Sequence, residues 1–290
     1  MTSHKSLRIL PLILLAVLAV TPQAFAKRPD PPKSIRLYVF DNGTIKATDE
    51  FKRLNPELFK FQNPDVDFFT DTCYLIVHPK GTLMWDAGMI LDSDIPADGK
   101  PVTQGLRTGT KPLKPRLAAA GYTPTDITYL AMSHYHSDHT ANANEFASAT
   151  WIVQQAERDW MFADQPKGNI RPFEYDKLKN SKTIILNNED HDVFGDGTVV
   201  IMSAPGHTPG HQVLFVKLPK SGPVLLAGDL YHYPEERTNG KVPPGDFDGA
   251  QTLASRAKIE AFVKKSGAQL WIEHDIATHA KLKKAPDYIE

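Results

Sequence analysis

An α/β fold is predicted from three features of the sequence. Short apolar runs recur along it, polar connections separate them, and helical stretches fall between some of them. The runs that predict strands are, in order, "IRLYVF" (36–40 at its centre), "CYLIVH", "GTLMWDAG", "ITYLAM", "TWIVQQ", "TIILN", "TVVIMSA", "HQVLFVKL", "PVLLAGD" and "QLWIEHD". Many are rich in β-branched and aromatic residues, which suit a pleated, packed surface. One helix is predicted near 113–120. A second covers about 251–265, where Ile259, Phe262 and Val263 share a face and Gly267 stops it. Two stretches, 90–112 and 163–182, are long, polar and poorly periodic, and loops of that kind often frame a site.

The first 26 residues read as a secretory signal peptide. Lys5 and Arg8 supply a basic start, Ile9 to Val20 a twelve-residue apolar core, and "AFA" a small-residue cleavage site ending at Ala26. Twelve apolar residues fall short of the roughly 20 that span a bilayer, so export to the periplasm or medium is expected, without a stable membrane anchor. Cleavage leaves 264 residues: a Pro-rich tether, "KRPDPPKS" (27–34), and length enough for a single domain over 35–290. With Cys73 as the only cysteine, no intramolecular disulfide can form, and the residue reads as a small buried hydrophobe. The mature chain carries 31 Lys and Arg against 34 Asp and Glu, dispersed rather than gathered into a basic stripe, so no nucleic-acid partner is expected. Oligomeric state is left open.

"SHYHSDHT", residues 133–140, ends a predicted strand with His134, His136, Asp138 and His139, all competent metal ligands. Further donors recur in the same context: His207 follows "VVIMSAPG", Asp229 follows "VLLAG", and His274 follows "LWIE". Carboxyl ends of strands are where α/β sites assemble, so four strand ends can deliver seven donors to one rim. Seven exceed what one zinc takes and suit two metals, which implies hydrolysis. His211 stands four residues after His207, and spacing alone does not choose between them. His78, His191 and His279 have no partner cluster.

"HYHSDH", "PGHTPGH", "AGDLYHY" and "WIEHD", taken in order, resemble the metal motifs of the metallo-β-lactamase superfamily, with the match running from about Leu37 to His274. The resemblance implies a four-layer αββα sandwich. It implies one metal on His134, His136 and His207, another on Asp138, His139 and His274, and Asp229 between them. It selects His207 over His211, which is then structural, and casts Asp86 as a hydrogen-bonding support for the ligand loop. The expected metals are two divalent ions, zinc first, with iron, cobalt or manganese compatible with the same donors.

Within the superfamily, "LIVHPKGTLMWDAGM", "TWIVQQAERDWM" and "GDLYHYPEER" resemble the N-acyl homoserine lactonases. The implied activity is the opening of lactone rings, a quorum-quenching reaction, by attack of a hydroxide held between the two metals. Asp229 or Asp138 would pass a proton to the departing oxygen. Many lactonases carry tyrosine three residues after the bridging aspartate, where this chain has His232, so the choice of aromatic helper falls first on Tyr231 and second on His232. Phe68, Phe69 and Met89 are candidate acyl-chain contacts. The alternatives are a periplasmic β-lactamase or broad esterase of the same fold, and a non-catalytic zinc-binding protein.

Overall fold

The computed structural model describes residues 30–54, 56, 68–96, 98–109, 111–164 and 170–290. The expected signal peptide and the first residues of the tether lie outside the described residues. Among the described residues, eight strands form one sheet: β1 (Arg36–Lys46), β2 (Phe68–His78), β3 (Gly81–Trp85), β4 (Val102–Gln104), β5 (Arg107–Gly109), β6 (Tyr129–Ala131), β7 (Thr150–Gln154) and β8 (Thr183–Leu186). Their spatial order is β4-β5-β1-β2-β3-β6-β7-β8. Five form the other: β9 (His191–Asp192), β10 (Val199–Ser203), β11 (Gln212–Leu218), β12 (Gly222–Leu226) and β13 (Gln269–Trp271), ordered β13-β12-β11-β10-β9. Among the described residues the helices are α1 (Asp49–Leu54), α2 (Leu113–Ala119), α3 (Ser137–Thr140), α4 (Gln155–Met161), α5 (Pro234–Asn239), α6 (Gly249–Ser266) and α7 (Ile276–His279).

The layering follows from the period-2 alternation of strand side chains. Along β2, Tyr74 and Ile76 enter a core shared with Ile201, Leu214 and Val216 of the second sheet, so the two sheets pack face to face. Cys73, Leu75 and Val77 point the other way, to Leu113 and Leu117 of α2. On the far side, Met202, Val213 and Phe215 pack against Ile259, with Phe262 and Val263 beside it. That is helix, sheet, sheet, helix, the sandwich that the resemblance implied. Strands buried on both faces lose polar alternation, which is why "CYLIVH" reads as a continuous apolar run. Cys73 is fully buried and free, a small core hydrophobe.

The helix predicted over 251–265 extends to Gly249–Ser266 because the Asp248 carboxylate caps its start, accepting from the Ala250 and Gln251 N–H groups, and Gly267 ends it at φ +70°. The segment 90–112 is more ordered than its composition suggests. It contains the β4–β5 hairpin, whose three-residue strands are too short to show a period, and Asp92, which accepts from the N–H groups of Leu113 and Lys114 at the start of α2. Of 163–182, residues 165–169 lie outside the described residues and 172–180 form short 3-10 turns. Among the described residues, no helix is long and apolar enough to cross a membrane.

Candidate metal centre

The ligand-bearing loops leave the carboxyl ends of β6, β10, β12 and β13. β12 and β13 pair in parallel and β10, antiparallel to β11 as β12 is, runs the same way, so three of these ends share one edge of the second sheet, where the donors after β6 meet theirs. After β6 the chain turns into the single helical turn α3, which carries Asp138 and His139. Beside it stands Asp86, fully buried at φ +59°, whose carboxylate accepts from the Ser133 N–H at 2.6 Å and meets His139 Nδ1 at 3.1 Å. After β12, Gly228 takes φ +48°, and a Cβ there would lie 2.7 Å from Ser133 Cβ and 2.9 Å from His211 Nε2. Only glycine lets the Asp229 turn approach the histidine loop so closely.

Two donor groups result. His134, His136, His207 and Asp229 place one ligand atom each within 4.8 Å of one another, as do Asp138, His139 and His274. The Asp229 carboxylate lies between them, one oxygen toward each side. Its Oδ2 stands 3.5 Å from His207 Nε2 and 3.7 Å from His134 Nε2, while its Oδ1 stands 3.4 Å from His139 Nε2 and 3.3 Å from His274 Nε2.

The other ring nitrogens are held from behind. His207 Nδ1 meets Asp246 Oδ1 at 2.9 Å, and His274 Nδ1 donates to the Thr70 carbonyl at 2.8 Å. Such contacts fix tautomer and ring orientation, leaving Nε2 for a cation. In the centre, His134 Nε2, His139 Nε2, Asp138 Oδ1 and Asp229 Oδ1 are buried without a hydrogen-bond partner, although the Arg107 guanidinium approaches Asp138 Oδ1 to 3.2 Å. Unpartnered buried donors and acceptors are rare in proteins, and imidazole and carboxylate together fit a bound divalent cation.

Charge supports the fit. Burial works to raise the Asp229 carboxyl, but His274, His139, His232 and His134 hold it well below the usual range. Burial, reinforced by His139, keeps the His134 ring well below its ordinary value, and burial with His207 takes His136 down to about 3. The ionised Asp229 and the neutral His134 and His136 are in the forms that bind metal, whereas, against burial, Asp229 raises His139 and, with Asp138, takes His274 up to about 10, so these two would release a proton to a cation.

His211 lies outside both groups, with Nδ1 against the Ala204 carbonyl at 3.1 Å and Nε2 accepting the Asp229 N–H at 3.1 Å. His78 stacks on Phe194 and meets Asp196, His279 faces the Ile272 carbonyl, and His191 is paired in β9.

Tyr231, the first choice as helper, is held away from the donor groups. Its hydroxyl donates to Glu260 Oε1 at 3.1 Å, its ring lies under Arg256, and it packs into the core beneath α6. His232 faces the centre instead, with Nε2 3.5 Å from Asp229 Oδ2 and Nδ1 3.3 Å from Glu236 Oε1. Glu236 is itself fully buried and paired with Arg256 at 2.7 Å.

A cavity of about 540 Å³ opens over the centre, with His136, Asp138, His207, Asp229, His232 and His274 among its lining residues. Ile45, Phe51, Phe69, Tyr233, Pro243 and Pro244 supply an apolar wall. Phe69 and Tyr233 stack there with ring centroids 6.3 Å apart. Of the three apolar candidates, Phe69 alone lines this cavity; Phe68 is exposed and Met89 packs with Ile90 and Ile95. Asp246, Thr70 and Arg107 escaped the sequence reading, since each lies in a segment with no motif of its own, and Glu236 escaped it although it lies within "GDLYHYPEER".

The sequence profile of the metallo-beta-lactamase superfamily matches residues 66–267. The chain is 32% identical to the N-acyl homoserine lactonase AttM of Azorhizobium caulinodans, over 88% of this chain and 99% of that protein. It is 30% identical to an N-acyl homoserine lactonase of a Bacillus species, over 75% of this chain and 86% of that one. An N-acyl homoserine lactone hydrolase solved with N-hexanoyl-L-homoserine at its catalytic metal centre superposes with a TM-score of 0.69 at 25% identity, covering 88% of this chain and 99% of that one. The chain belongs to the metallo-β-lactamase superfamily and is a metal-dependent hydrolase of that fold.

Proposed function

We propose that this protein hydrolyses N-acyl homoserine lactones with two divalent cations, zinc foremost, held by His134, His136 and His207 on one side, Asp138, His139 and His274 on the other, and Asp229 between. The observation that carries the reading is the Asp229 carboxylate, which turns one oxygen to each donor group at the floor of a cavity with an apolar wall. The names of the relatives supply the substrate class. Cations bound in such a centre make water nucleophilic at neutral pH and withdraw charge from a carbonyl oxygen.

The chain's own residues then have defined tasks. The apolar wall takes the acyl chain and keeps bulk water from it, and a volume of about 540 Å³ lies within the usual range for small-molecule sites. Water adds to the ring carbonyl carbon, the ring C–O bond breaks, and the departing oxygen takes a proton, giving the open hydroxy acid. His232 is placed to donate its Nε2 hydrogen to that oxygen, oriented by Glu236 behind it. Burial opposes its charged form, but Glu236 and Asp229 raise the ring above its ordinary value.

The expected result is ring opening that exceeds β-lactam hydrolysis by orders of magnitude, read from parallel rates on a short-chain lactone, a long-chain lactone, a β-lactam and a thioester. Faster turnover of the β-lactam would replace this reading with a periplasmic β-lactamase.

The same proposal includes export, cleavage after Ala26 and a single domain over 35–290 behind a short tether. The basic, apolar and small-residue order of the first 26 residues supports it. N-terminal sequencing of protein recovered outside the cytoplasm should begin at Lys27; intact, internal protein starting at Met1 would sink it.

A further inference from the structure

We infer that Glu157 is the positioning residue of the three-histidine site, tying the backbone that carries His134 and His136 to the backbone that carries His207. The inference rests on the reading that these histidines hold a cation. Glu157 stands in the first turn of α4 and is 3% exposed. Its Oε1 accepts the Tyr135 N–H at 2.7 Å, its Oε2 accepts the Gly210 N–H at 2.7 Å, and the Thr208 hydroxyl reaches Oε1 at 3.0 Å and Oε2 at 2.8 Å.

These donors are not scattered. Tyr135 lies between His134 and His136, and Thr208 and Gly210 belong to the turn that begins with His207. Gly210 makes the approach possible, since a Cβ there would fall 2.6 Å from the Glu157 nitrogen. Burying a carboxylate without an ion pair is costly, and each hydrogen bond offsetting that cost here comes from one of the two ligand loops. Burial outweighs the lowering by Thr208, Gly210 and Tyr135 and leaves the carboxyl pushed up to about 7. The second donor group has supports that do not involve Glu157, Asp86 behind His139 and the Thr70 carbonyl behind His274.

The clamp needs two acceptor oxygens. In Glu157→Gln the amide nitrogen must face a backbone N–H, so one loop is released while side-chain size is kept. Supporting residues of this kind affect metal affinity by about 10–100-fold.

The test is the Zn²⁺ dissociation constant, measured by chelator competition in two backgrounds. His274→Ala leaves the three-histidine site, and His207→Ala leaves the other. Adding Glu157→Gln is expected to weaken Zn²⁺ binding about 10–100-fold in the first background, with little change in the second. Thr208→Val, a milder change that removes one donor and carries the test if the glutamine variant fails to fold, should shift the first background in the same direction. Equal weakening in both backgrounds would show a general structural role and overturn the inference, as would no weakening in the first. If His274→Ala protein binds no Zn²⁺ with Glu157 intact, the inference falls with its site. A wild-type protein that binds one Zn²⁺ would sink the two-cation reading alone, and the His274→Ala pair would still decide the role of Glu157.

Discussion

Asp229→Asn is expected to fold normally and to lose ring-opening turnover by roughly a thousandfold, taking several kcal/mol of charge stabilisation at about 1.4 kcal/mol per tenfold. The fold should survive because asparagine has the same shape and the Asp229 N–H keeps its acceptor, His211 Nε2 at 3.1 Å. The loss follows from charge. One carboxylate faces five imidazole nitrogens at 3.3–3.7 Å, three on Oδ2 and two on Oδ1, and an amide replaces one of those oxygens with a donor. A cation on that side would meet an N–H where it needs a lone pair. Circular dichroism and steady-state rates on an acyl-homoserine lactone measure the two halves. Wild-type turnover in a folded Asp229→Asn protein would remove Asp229 from the centre of the account.

His232→Ala and Tyr231→Phe should diverge. Losing a donor that acts on a developing oxyanion costs about 2.7–4 kcal/mol, a hundredfold or more in turnover. His232 is placed for that role, lining the cavity with Glu236 on its Nδ1. Tyr231 spends its hydroxyl on Glu260 beneath α6, so its loss should leave turnover within a few-fold while lowering stability slightly. Rates on the same lactone, with thermal unfolding beside them, separate the outcomes. Unchanged turnover in His232→Ala would end its role as donor.

The contrast between these neighbours shows where sequence reasoning stops. All seven donors were legible because each follows an apolar run, and the ends of such strands meet at one rim. The sandwich was legible through the motifs, and its strands through their β-branched and aromatic content. Which of Tyr231 and His232 faces the centre was not, because adjacent residues in extended backbone, here Tyr231 at φ −137° and ψ 133°, point to opposite sides and residue type does not say which. Asp246 and Glu157 were equally hidden. Their roles come from long-range contacts, His207 to Asp246 and Tyr135 to Glu157, made by residues that look like ordinary turn and helix positions. The β4–β5 hairpin escaped because three residues show no period.

The central claim is a two-cation centre that opens lactones, and Zn²⁺ titration of metal-depleted protein tests it most directly. With bound Zn²⁺ counted by elemental analysis and lactone turnover followed at each addition, the account predicts that binding and activity both reach their plateau at two ions per chain. Full activity at one bound ion, with no further gain under metal-replete conditions, would contradict it.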